Sequence, residues 1–197
     1  MARLLQGDPA EAEKLLTEAL PRARKSFGPD NFLTLFIQRV LVRALAENGQ
    51  LIKAEALGKE TLDARLRTKA NQDNVGTGRT LLYLGRVLVE ESKLDEAESR
   101  LQEALTIFHN DASSKFRPEL AGQAANWLGA IQVARKDYPK AEALMLPGSE
   151  RFFAPAAEMS PNERRVAVGH IVSLYQAWGK PEQTATWQKK LDGLVKP

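Results

Sequence analysis

Apolar residues along the chain recur at helical spacing and are broken at regular intervals by short polar turns. Between positions 81 and 94, Leu81, Leu84 and Leu88 share one face, and Leu94 follows a polar break at Glu91-Ser92. That is the period of an amphipathic helix, then a turn, then a second helix. Short alternating runs of Val, Ile and Thr, which would mark strands, are missing. Ala and Leu, the strong helix formers, each occur 27 times, so the pattern predicts an all-α protein.

The helical pattern repeats. One phrase returns as GDPAEAEKLL from Gly7, GQLIKAEALG from Gly49, SKLDEAESRL from Ser92, KDYPKAEALM from Lys136 and GKPEQTATWQ from Gly179. Its anchor falls on Ala12, Ala54, Ala97, Ala141 and Thr184, in steps of 42, 43, 44 and 43 residues. Each unit predicts two helices joined by a tight turn, at Asn48-Gly49, Glu91-Ser92, Lys136-Asp137 and Gly179-Lys180. A small anchor lets paired helices come close. Pro139 and Pro181 stand near the start of second helices, where a missing N–H costs little. The whole chain, 1–197, is expected to form one array with units at about 1–27 (partial), 31–69, 73–110, 117–153 and 161–194.

Finer expectations follow. Asp30, Asp73 and Ser160 are candidate N-caps. Pro21 should kink or end the first long helix, and Pro147-Gly148 should shorten another. Thr184, Trp178 and Trp187 give the fifth unit the character of a terminal cap. The first unit lacks most of its first helix, so either upstream sequence is missing or the array begins with a lone helix. That leaves an edge of Leu4, Leu5, Leu15 and Leu16 poorly covered, and self-association through this N-terminal edge is expected.

Charge and composition narrow the function. Lys and Arg total 28 against 25 Asp and Glu, a net charge of +3, too small an excess for a nucleic-acid binder without a clustered basic face. No apolar run is long enough for a membrane span. Without cysteine there is no thiol or cysteine–zinc chemistry. The N-terminus, MARLLQGDPAEAEKLL, turns polar after two leucines and does not read as a signal peptide, so a cytoplasmic location is expected. His109 and His170 are the only histidines, and no nucleophile-elbow, phosphate-loop or paired-histidine metal motif occurs. Gly76-Thr77-Gly78-Arg79 reads as a helix start, and His109 as a residue favouring a helix C-terminus. No catalytic activity, cofactor or metal site is expected. Trp127, Tyr83 and Phe152 are assigned to the core.

The units resemble the tetratricopeptide repeat. With Ala97 on that family's small position in the second helix, Leu81, Leu84, Gly85 and Leu88 fall on its first-helix signature, and Leu94, Leu101 and Ala104 on the second. In the next unit Leu128, Gly129, Tyr138 and Ala141 do the same. The longer period, the AE-x-L phrase and the SFGPDN linker (Ser26 to Asn31) are similar to the kinesin-light-chain type, including the bacterial kinesin light chains that accompany bacterial tubulins. The resemblance implies a right-handed α-solenoid and a non-catalytic protein-interaction scaffold, with a tubulin-like filament as one expected partner. It also implies a concave partner-binding groove lined by Phe36, Arg39, Arg43, Arg79, Arg86, Gln123 and Asn126. Asn126 matches an amide that holds a peptide backbone in that family, though the neighbouring position is Trp127. Arginine forks favour carboxylates, so an acidic partner segment is expected; equally, some of these arginines could pair with Glu47 or Glu90 on their own helices. An alternative reading comes from SLYQAWGKPEQTATWQKKL, which resembles the closing segment of repeat regions in larger bacterial signalling proteins such as serine/threonine kinases.

Overall fold

The anchor alanines set the geometry. Ala12, Ala54, Ala97 and Ala141 are all buried, each on the outer helix of a pair where it faces the inner one. The computed structural model describes residues 8–68, 74–110, 118–154 and 159–194, and these are helical throughout apart from turns. In chain order the helices are α1 (Pro9–Phe27), α2 (Phe32–Glu47), α3 (Leu51–Arg67), α4 (Asn74–Glu90), α5 (Leu94–Asn110), α6 (Glu119–Ala134), α7 (Tyr138–Ser149), α8 (Pro161–Ala177) and α9 (Pro181–Gly193). Consecutive helices pack, and α2, α4, α6 and α8 also pack on one another in turn. The even-numbered helices therefore form an inner layer, with the odd-numbered ones outside it.

The turns repeat as closely as the sequence does. Each contains one residue in the left-handed region: Gly49 (φ 73°), Ser92 (φ 62°), Lys136 (φ 63°) and Gly179 (φ 72°). The next backbone N–H then reaches back to the helix, from Gln50 to Leu45 O (2.9 Å), Lys93 to Leu88 O (2.8 Å), Asp137 to Gln132 O (2.9 Å) and Lys180 to Tyr175 O (2.9 Å). This is the Schellman closure, which satisfies carbonyls left over at a helix end.

Two local expectations need correction. The cap of α2 is Asn31, whose Oδ1 accepts from Leu33 N at 2.9 Å. Asp30 lies one residue too early and instead pairs with Arg67 at 3.2 Å. Pro21 does not end α1, which runs on to Phe27; Leu20 and Ala23 on either side of it are buried, and packing overrides the proline's preference. Ser160 does cap α8. Asp73, Leu4 and Leu5 lie outside the described residues.

Helix α7 is short, 12 residues against 17 in α3 and α5. Beyond it a 3-10 turn, Glu150–Phe153, carries Phe152 into the core. The backbones of α6 and α7 nearly touch there: a Cβ on Gly148 would lie 2.8 Å from Gly122 Cα. Tyr83 and Trp127 are buried as expected. Of the N-terminal edge, Leu16 packs beneath the first pairs, whereas Leu15 is 47% exposed.

Candidate partner-binding inner face

Packing on both sides leaves the inner helices little free surface. Arg39 and Arg43 stand one turn apart on α2, Arg79 and Arg86 two turns apart on α4, and Gln123 and Asn126 on α6. All six are buried. Phe36 is partly buried, with the Arg39 guanidinium 5.0 Å from its ring centre. The residues expected to line a groove thus share one inner layer, but they meet the chain itself there.

Arg43 is the centre of this polar interior. Its Nε donates to Glu47 at 3.0 Å, and its Nη2 lies 2.7 Å from Glu163 on α8. Glu163 completes a capping box, accepting from Ser160 N at 2.8 Å while its own N–H donates to Ser160 Oγ at 3.1 Å. The Ser160 hydroxyl lies 3.3 Å from both oxygens of Glu47. Burial works against the Arg43 cation, but Tyr83, Glu163 and Glu47 outweigh it and raise its pKa. Burial, helped by Glu47, pushes Glu163 up from the usual carboxylate range, while Arg43 and Arg86 pull it down.

Further along the layer, Arg86 Nε donates to Glu90 at 2.9 Å and its guanidinium stands 5.8 Å from the Trp127 ring centre. Asn126 Nδ2 donates to Ala167 O at 3.0 Å. Its Oδ1 must then be the acceptor in the 2.8 Å contact with His170 Nδ1, which fixes the ring proton on that nitrogen. Between α4, α6 and α8 lies a cavity of about 10 Å³, lined by Tyr83, Arg86, Asn126, Trp127 and Glu163 among others. That is at most room for one water.

The residues named from the sequence on α2, α4 and α6 lie in the inner layer, and both pairings weighed for the arginines occur on their own helices. It missed the α8 contribution. Ser160-x-x-Glu163 was legible as a capping box, but nothing local links it to Arg43. Among the described residues no group of His, Asp or Glu is placed to hold a metal ion, and no helix is long and apolar enough to cross a membrane.

Residues 1–67 match the family model for the tetratricopeptide repeat. No curated protein matches the chain. Among solved structures the chain is similar to the crystal structure of BtubC (BKLC) from P. vanneervenii, at 20% identity and a TM-score of 0.66, covering 98% of this chain and 75% of that one. It is also similar to two structures of a kinesin light chain with nearly identical TPR-like repeats from Podosopora anserina. One, of a point variant, has 18% identity, a TM-score of 0.64 and coverage of 98% and 89%. The other has 18% identity, a TM-score of 0.62 and coverage of 98% and 90%.

Proposed function

Because the chain folds as a tetratricopeptide-repeat solenoid, we propose that it is a non-catalytic interaction scaffold of the cytoplasm whose partner presents an acidic segment. One observation carries this reading: four guanidinium groups, Arg39, Arg43, Arg79 and Arg86, come from two adjoining helices of a single inner layer. Arginine forks hold carboxylates bidentately and with charge assistance. Phe36, Gln123 and Asn126 complete the partner-binding residues. The resemblance to kinesin light chains, bacterial ones included, supports a filament of tubulin-like subunits as the surface that presents the acidic segment. Repetition along a filament turns weak single contacts into useful occupancy.

The test is co-pelleting with bacterial tubulin filaments. The parent protein should pellet at about 0.1 M salt and be lost toward 1 M, as the screening length falls from about 10 Å to about 3 Å. Changing both Arg79 and Arg86 to Lys keeps the charge but removes the forks, and should reduce pelleting with helical content unchanged. Lys189→Ala, at an exposed position of α9, should pellet like the parent. Equal pelleting of all three proteins would move binding off the inner face, and no pelleting by the parent would remove the tubulin-like partner.

A further inference from the structure

In a stack of helix pairs each pair ordinarily touches only its neighbours. Here α2 of the second unit meets α8 of the fifth, through Arg43 to Glu163 at 2.7 Å and Ser160 to Glu47 at 3.3 Å. The contact is dry: side-chain exposure is 1% for Arg43, 0% for Glu47 and 6% for Glu163. Ion pairs buried this deeply are poor sources of stability compared with apolar packing, so stability alone does not account for the arrangement. The arginine also has capacity to spare, since its Nη1 is buried with no hydrogen-bond acceptor among the described residues.

We propose that this contact is a clasp in which the solenoid's own Glu163 occupies the carboxylate seat of its inner face. Closed, it ties α8 to α2 through these side chains, beside the small cavity at Trp127. An acidic partner segment brings a carboxylate of its own, takes the Arg43 guanidinium and releases Glu163. Small rotations at successive repeat interfaces are enough to part α2 from α8, because the distance between them sums over the array. This rests on the reading that the inner-face arginines take an acidic partner. It adds that the free protein is self-inhibited, so its apparent affinity is lowered by the small fraction that is open.

Glu163→Gln tests the clasp. Glutamine can still complete the capping box, so α8 keeps its start, but it offers Arg43 no charge. Amide exchange should quicken in the last turns of α2 and the first turns of α8 and stay unchanged in α5 and α6. A hexaglutamate peptide should bind the variant about tenfold or more tighter than the parent. Glu98→Gln, which breaks the outer pair with Arg135, should change neither. Local opening with no gain in peptide binding would overturn the acidic-partner reading while leaving the clasp in place. Unchanged exchange and unchanged affinity would overturn the clasp, whatever the parent binds. Faster exchange everywhere, with weaker binding, would also overturn it by making Glu163 a purely structural residue.

Discussion

His170 shows what single residues contribute to this interior. Its ring meets Trp127 edge-on, 4.5 Å between centres, and its Nδ1 proton is held by Asn126. Loss of water around the ring, and then the nearby charge of Arg86, lower its pKa to about 4 from the ordinary 6.5. In the unfolded chain the ring takes a proton near pH 6.5, whereas in the folded protein it stays neutral until about pH 4. The unfolded state therefore binds more protons across that window, and stability falls as pH is lowered through it. The loss assigned to this group is on the order of 3 kcal/mol, complete only once pH has fallen below about 4. His170→Gln should keep a donor for Asn126 and remove this dependence. Denaturant melts of both proteins at about pH 7 and about pH 4.5 measure it: the parent should lose more stability between the two than the variant, and equal losses would show that the ring titrates normally.

Among the elements, the four tight turns offer a natural comparison. Two place glycine in the left-handed region, while the other two place Ser92 and Lys136 there. A side chain in that conformation costs about 1–2 kcal/mol, partly offset because glycine loses more freedom on folding. Ser92→Gly and Lys136→Gly should each stabilise by about 0.5–1 kcal/mol, seen as a melting temperature higher by about 1–4 °C for a chain of this size. No rise in either variant would mean that the turns are not at equilibrium geometry for glycine. These turns and the anchor alanines were legible in the sequence because each depends on residues within one unit. The cap at Asn31 was missed by one position, since Asp30 and Asn31 are both good caps and only the backbone decides where the helix begins. That α1 runs on past Pro21 was not legible, because burial of Leu20 and Ala23 belongs to packing against the next helix, which propensity does not see.

For the molecule as a whole, register along the repeats told which residues share the inner layer but not that the layer closes. Closure depends on how much each pair rotates against the last, a quantity spread thinly over every interface and written in no single motif. Its effect can be tested by ending the chain after Ala154, which removes α8 and α9. If the array were open, amide protection in α2 would survive this; with α8 tied to α2 through Arg43 and Glu47, it should fall along with the protection of the neighbouring α6. A string of repeats is normally a one-dimensional system in which domino-like fraying from either end is permitted and the ends do not know of each other. The contact of Glu47 with Ser160 joins segments 113 residues apart, giving the inner layer something closer to the boundary condition of a ring. Calorimetric and van't Hoff enthalpies of unfolding should then agree, as they do for a single cooperative unit, and the chain should fold more slowly than its helical content suggests, because contacts so far apart in sequence cost loop-closure entropy before they reward it.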